Sequence, residues 1–299
     1  MKLIKLLTVF LLLIIFAGCR PVDSKDTNVS FSTVCSNDIS AFSLINFLDD
    51  SDYSVTVSSD KVIEKCFDSA AYDFIIAPTN TGIKGSNDYG NYKLFAIISW
   101  GSYSLVTNNI DSNKTVYAPD NETLRAVINE CRELAVYIFD FTYSEDKIAE
   151  MLANGECSRA ILSEPYLTVA NEKWTENNES DLIEIYNLQN LYSLYHEHES
   201  FPMYSLFVKN ETLNNKPDNV VSFVSSIKNS LLEYMNDNDK LVEKSDSLKN
   251  KMVIDNYDLL LNNFKNSPIR LEFINNNIEC INEFLSMFDL ELESKSYVK

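Results

Sequence analysis

Apolar positions along the chain fall into short runs, each ended by small polar residues and followed by a segment whose apolar positions have helical spacing. The run Asp73-Phe74-Ile75-Ile76-Ala77 has the length and continuous apolarity of a strand buried on both faces. Pro78 and Gly82 punctuate the next five residues, which predicts a turn over 78–82. A second apolar run starts at Leu94, passes Trp100 and continues through Gly101 and Ser102 to Val106. Two such runs place the 79–82 turn and the pair Trp100-Gly101 at the carboxyl edge of one sheet. In open parallel α/β sheets that edge is where ligands bind.

The same grammar runs through the rest of the chain. Residues 29–34 read as a first strand, 35–38 as a turn, 39–48 as an apolar helix, 53–57 as a second strand and 60–67 as a short helix with Val62, Ile63 and Cys66 at helical spacing. Beyond residue 114 the alternation restarts, with strands over 114–118, 135–139 and 158–162 and helices over 120–134 and 143–152. This pattern implies two α/β units, joined by the strand 102–107. After the polar stretch 172–181, residues 182–186 and 203–208 are again strand-like. Four helices close the chain, over 217–236, 239–249, 257–264 and 271–288. Lacking strands of their own, they must pack on the first sheet, to which 203–208 would return.

Composition sets limits on this picture. With 299 residues, 45% of them hydrophobic and 12% aromatic, the chain can bury a substantial core, and its length suits two compact units. The formal charge is -19, and the first 18 residues carry Lys2 and Lys5 with no acid, so the remainder is -19 - 2 = -21. Such a surface repels phosphate backbones and anionic head groups, which excludes nucleic acid as a partner. Lys2 and Lys5 precede an apolar run over 6–18 that is short for a bilayer span and is charged on its amino side like an export signal. Its end, Phe16-Ala17-Gly18-Cys19, resembles a bacterial lipobox, although Phe16 stands where an aliphatic residue is usual. That resemblance implies removal of 1–18, acylation of Cys19, and a protein held on the extracytoplasmic face of the cell membrane by its lipid anchor. The other reading is an uncleaved signal anchor. Residues 19–28 are polar and read as a tether. Cys35, Cys66, Cys131, Cys157 and Cys280 show no metal-type spacing; outside the cell Cys131 and Cys157 could pair, while dispersed buried thiols are the favoured reading.

Three segments together carry a family resemblance. A strand ends Ala77-Pro78-Thr79-Asn80; Tyr92-Lys93-Leu94 leads into Trp100-Gly101-Ser102-Tyr103-Ser104-Leu105-Val106; and Glu164-Pro165-Tyr166 comes after Ala160-Ile161-Leu162. In order and spacing these resemble the substrate-binding lipoproteins of ABC importers, in the group that handles nitrate, sulfonate, taurine or thiamine-pyrimidine-type ligands. The resemblance covers essentially the whole mature chain. It implies an α/β, two-lobed type II periplasmic-binding-protein fold with a mixed sheet in each lobe and a ligand cleft between them. Lobe 1 would be 29–103 with 204–299, and lobe 2 would be 104–203. The partners implied are a small-molecule solute and an ABC permease, with the protein a monomer and no cofactor.

Helix amino termini facing a cleft offer free N–H groups, and the loops 35–38, 79–82 and 119–123 qualify, with Ser36, Thr79, Asn80 and Asn121 as their polar side chains. Asp120 and Glu122 in the last loop would repel an anionic ligand, or else serve as ordinary helix capping in solvent. Trp100 and Tyr103, beside Ser102, could stack on a ring or face a cation, or be core. Glu164, which precedes Pro165 and Tyr166, is the best single polar candidate in the second unit, since a carboxylate there would accept hydrogen bonds from an amine or amidine. An aromatic wall, an amide and a carboxylate together favour a neutral or cationic nitrogen-containing ring compound. The opposing walls would be Thr79, Asn80 and Trp100 against Asn121 and Glu164.

Other functions have less behind them. No serine or cysteine lies in a nucleophile motif, so no base, nucleophile and orienting group can be assembled into an enzyme. The histidines, His196 and His198, lie within Tyr195-His196-Glu197-His198-Glu199 and would point the same way in a strand, with carboxylates to complete a metal site; a solvated loop is the commoner reading of such a stretch. A ligand-sensing or structural surface lipoprotein would share the fold without transport.

Overall fold

The computed structural model describes residues 30–109, 114–246, 254 and 256–299. The signal segment 1–18, Cys19, the tether 19–28 and the expected strand start at Val29 lie outside the described residues. Two mixed sheets organise the chain. Its strands are β1 (Phe31–Ser36), β2 (Tyr53–Ser58), β3 (Phe74–Pro78), β4 (Tyr92–Trp100), β5 (Ser104–Thr107), β6 (Thr115–Tyr117), β7 (Ile138–Asp140), β8 (Arg159–Leu162), β9 (Ile183–Asn187), β10 (Pro202–Lys209) and β11 (Ile269–Phe273). The first sheet has the order β11-β4-β10-β3-β1-β2 and the second β7-β6-β8-β5-β9.

Burial explains the order in the first sheet. β3 lies inside it with four fully buried apolar residues, while the edge strand β2 alternates, exposing Ser54 and Thr56 and turning Tyr53, Val55 and Val57 toward the core. β1 pairs parallel with β2 and β3, and β10 enters antiparallel between β3 and β4. The return of 203–208 to the first sheet is therefore observed. One apolar cluster packs Phe31, Phe42, Phe74 and Phe223 on one face of this sheet. A second cluster runs from the other face through Trp100 and Tyr103 into Leu105, Val116 and Ile161 of the second sheet.

Several expected elements are corrected. Residues 79–82 are not a turn but the first turn of the helix Thr79–Tyr89. Gly82 is there for close approach: a Cβ on it would sit 2.2 Å from the Phe207 ring of β10. The apolar run from Leu94 to Val106 is two strands, because the chain leaves the first sheet after Trp100 and enters the second at Ser104. The polar stretch 172–181 lies largely within the helix Tyr166–Asn178, which buries only Ala170 and Trp174, one turn apart, and so shows no apolar stripe. The expected helix 271–288 begins instead with β11, an edge strand paired antiparallel with β4, and the helix proper is Ile278–Ser286. Its apolar residues fit helical spacing across the junction, which hid the strand. Among the described residues no helix is long and apolar enough to cross a membrane. Cys35, Cys66, Cys131, Cys157 and Cys280 are all buried and free, so Cys131 and Cys157 are not paired.

Candidate functional site

The two sheets are connected by β4 to β5 through Gly101, Ser102 and Tyr103, and by the segment leading from the helix Leu188–Tyr192 into β10. These crossings are bonded to each other: Gly101 N donates to Phe201 O at 2.9 Å, and Leu188 N to Tyr103 O at 2.9 Å. A cavity of about 250 Å³ opens beside them, walled by both sheet units. From the first come Asn37 and Asp38, Ser99 and Trp100, and Met203 and Tyr204; from the second come Pro119 to Asn121, Glu145, and Ser163 to Tyr166.

Six of the expected residues meet there: Trp100, Ser102, Tyr103, Asn121, Glu164 and Tyr166. Asn121 is also the cap of the helix Glu122–Glu130, its Oδ1 accepting from Leu124 N at 3.0 Å. Ser36, Thr79 and Asn80 are placed elsewhere. Ser36 Oγ donates to Ile76 O at 3.4 Å, Thr79 Oγ1 is bonded to Ser205 Oγ at 2.8 Å, and Asn80 Nδ2 donates to Glu122 Oε2 at 2.7 Å. The Asp120 carboxylate is largely exposed and pairs with Arg125 at 2.7 Å, a bridge of small energetic weight.

Sequence reasoning did not single out Asp38, Glu145 or Tyr204. Asp38 caps the 3-10 helix Ile39–Phe47, accepting from Ser40 N at 2.9 Å and from Ser40 Oγ. Glu145 opens the helix Glu145–Ala153, where it looks like an acid placed for the helix dipole, yet its Oε1 accepts from Ser163 N at 2.5 Å and Ser163 Oγ at 2.7 Å. Both residues are half-buried and line the cavity. Burial pushes each carboxyl up to about 7, a rise that the serine hydrogen bonds only partly oppose. Glu164 is also raised by burial, against two hydrogen bonds from Thr168. The phenols of Tyr103 and Tyr204 lie well above their ordinary value, through burial first and then through nearby carboxylates, including Asp38 for both.

The wall is thus made of carboxylates and aromatic rings. Among the described residues that line it there is no Lys, Arg or His. Trp100 is 4% exposed, and its Nε1 is buried with no hydrogen-bond partner. The guanidinium of Arg270 lies 4.4 Å from the Trp100 ring centroid, a cation–π contact that holds the indole in place.

His196 and His198 lie in a turn rather than a strand, between the helix Leu188–Tyr192 and β10. His196 stacks on Tyr192 at 3.9 Å between centroids, and both imidazoles face Glu283, at 3.7 and 3.9 Å. No group of three or more His, Cys, Asp or Glu side chains that could hold a metal ion occurs among the described residues.

No protein-family model and no curated protein matches the sequence. Solved structures do. An ABC transporter protein from Parabacteroides distasonis covers 91% of this chain and 99% of its own, at TM-score 0.72 and 13% identity. The chain has a periplasmic-binding-protein fold. The periplasmic aliphatic sulphonate binding protein SsuA from Escherichia coli has TM-score 0.62 at 8% identity, with 91% of this chain and 92% of that one covered. The ligand-binding component of an ABC-type import system from Staphylococcus aureus, solved with zinc bound, has TM-score 0.60 at 12% identity and covers 90% of this chain and 96% of its own. At such identities the likeness establishes the α/β fold with its two mixed sheets, and the ligands of those proteins remain theirs.

Proposed function

We propose that this protein is an extracytoplasmic solute-binding lipoprotein that captures a small cationic, nitrogen-containing molecule between two lobes and delivers it to the permease of an ABC importer. The lobes are 29–103 with 204–299 and the intervening 104–203, and Cys19 is the lipid attachment site. One observation carries the choice of ligand: Asp38, Glu145 and Glu164 face a cavity whose lining holds no basic side chain. Buried carboxylates without a partner are costly, and a cationic ligand removes that cost by charge-assisted hydrogen bonds. Trp100, Tyr103, Tyr166 and Tyr204 supply the faces on which a cation or a flat ring packs. A sulfonate or nitrate would meet the same carboxylates as repulsion, so the ligand named for SsuA does not suit this wall.

Closure brings the walls together through the crossings at Gly101 to Tyr103 and at Phe201, which are short and bonded to each other. Calorimetric titration of the purified protein tests the reading. Amidines and aminopyrimidines should bind more tightly than taurine or nitrate; tighter binding of either anion contradicts it.

A further inference from the structure

Three carboxylates of the cavity are held in the same way. In each, the backbone N–H and the hydroxyl of a single residue both donate to one carboxylate oxygen: Ser40 to Asp38 Oδ1, Ser163 to Glu145 Oε1, and Thr168 to Glu164 Oε2 at 3.2 and 2.8 Å. Such a clamp fixes the orientation of the group. It also leaves the second oxygen of Glu145 and of Glu164 for another donor, while the Tyr204 hydroxyl lies near Asp38 and helps to lower its carboxyl.

These carboxylates stand on opposite walls. Asp38 precedes the 3-10 helix Ile39–Phe47 of the first sheet unit, whereas Glu145 and Glu164 belong to the second. Tyr103 and Tyr166 line the same cavity, and each phenol is raised by burial first and then by both Glu145 and Asp38. Trp100, which lines the same cavity, is 4% exposed, and its Nε1 has no acceptor within the protein.

We propose that the ligand is an organic dication, one cationic nitrogen held by Asp38 and the other by Glu145 and Glu164, with its carbon framework against Tyr103 and Tyr166. The inference rests on the reading of this cavity as a cation site. A monocation neutralises one wall and leaves the carboxyl opposite protonated, because a buried carboxylate without a counter-charge takes up a proton. A dication displaces the protons from both. The titratable groups that act electrostatically on or with Asp38 are the Cys35 thiol, Asp60 and Tyr204, together with Tyr103 and Tyr166; those that do so with Glu145 are Asp146, Tyr103 and Tyr166. All are acidic or neutral, so none supplies the positive charge in the ligand's place.

The probes are α,ω-diamines from diaminopropane to diaminohexane, each beside the monoamine of equal chain length. They are titrated into the wild-type protein by calorimetry, in buffers of different ionisation enthalpy that count the protons released. The best diamine should bind on the order of 10- to 100-fold tighter than its monoamine, the worth of one further hydrogen-bonded charge. At about pH 6 it should release about two protons against about one for the monoamine, and its affinity should rise toward pH 8 as both carboxyls ionise unaided. A monoamine that binds as tightly and releases as many protons overturns the dication while leaving the cation site standing. Failure of the whole amine series alongside binding of an alkanesulfonate overturns both, and failure of every diamine while single-charged amidines bind overturns the dication alone.

Discussion

Two polar regions between the sheet units are built in opposite ways. At one, Asn80 reaches from the helix Thr79–Tyr89 to Glu122 of the helix Glu122–Glu130, and its Nδ2 meets the carboxylate at 2.7 Å. The amide N–H and the carboxylate satisfy each other, while Asn80, 4% exposed, leaves its Oδ1 buried with no partner. At the other, Asp38, Glu145 and Glu164 are aimed into a cavity of about 250 Å³, each gripped from behind by a backbone N–H and a hydroxyl, with no basic group before them. Both places lie where helices begin beside the gap between the units. What separates a structural bridge from a binding wall is whether a donor from the opposite unit closes on the carboxylate.

The largest effect that would break this contrast is on binding. Replacing both walls together, Asp38→Asn with Glu145→Gln, should weaken an amine or amidine ligand by about 100-fold or more, from the loss of two charge-assisted contacts. Circular dichroism should show the fold intact, because each amide oxygen can still accept from its serine. Unchanged affinity would mean that the carboxylates do not touch the ligand.

Next in size is a pH effect on the unliganded protein. Burial raises the Asp38 and Glu145 carboxyls to about 7, above the unfolded value, so the folded state holds more protons between about pH 4 and 7 and loses stability as pH rises through that window. Asp38→Asn removes one such group. Its melting temperature relative to wild type should therefore increase by several degrees from about pH 4 to above 7. A constant difference across that range would show that the carboxyl titrates normally.

The crossing between the sheets gives a third test. A Cβ at Gly101 would lie 2.4 Å from the Phe201 ring, backbone against an aromatic of the other crossing. Gly101→Ala should cost about 1–3 kcal/mol of stability, the usual penalty for overpacking, read as a lower urea midpoint. Smallest is Asn80→Ala, which should cost about 1 kcal/mol of stability for one hydrogen bond and leave ligand affinity within about twofold. A large loss of affinity there would move the binding wall to the other bridge.

How far the sequence reveals all this depends on what each residue must do locally. The helix Pro217–Asn236 is legible end to end, because Pro217 marks its first turn and its apolar positions keep one spacing. β3 is legible because its burial on both faces demands an unbroken apolar run. Tyr103, Glu164 and Tyr166 are legible as cavity residues because each lies just past a strand whose position is itself evident. Glu145 is not, since an acid after Ser144 reads as helix capping, and only the return of Ser163 from β8 places it in a cavity. Asp38 is hidden likewise by its own capping of the next helix. Asn80 shows the reverse error: its position after a strand suggested ligand contact, and Glu122, 42 residues away, claims its amide. Long-range partners decide these cases, and spacing along one chain does not encode them.

The most direct measurement is mass spectrometry of the protein under native and then denaturing conditions, to identify the small molecule it retains through purification. A compound of metabolite size with basic nitrogen should be found, released on unfolding and absent from the Asp38→Asn, Glu145→Gln variant. A retained sulfonate, nitrate or other anion would contradict the cation site.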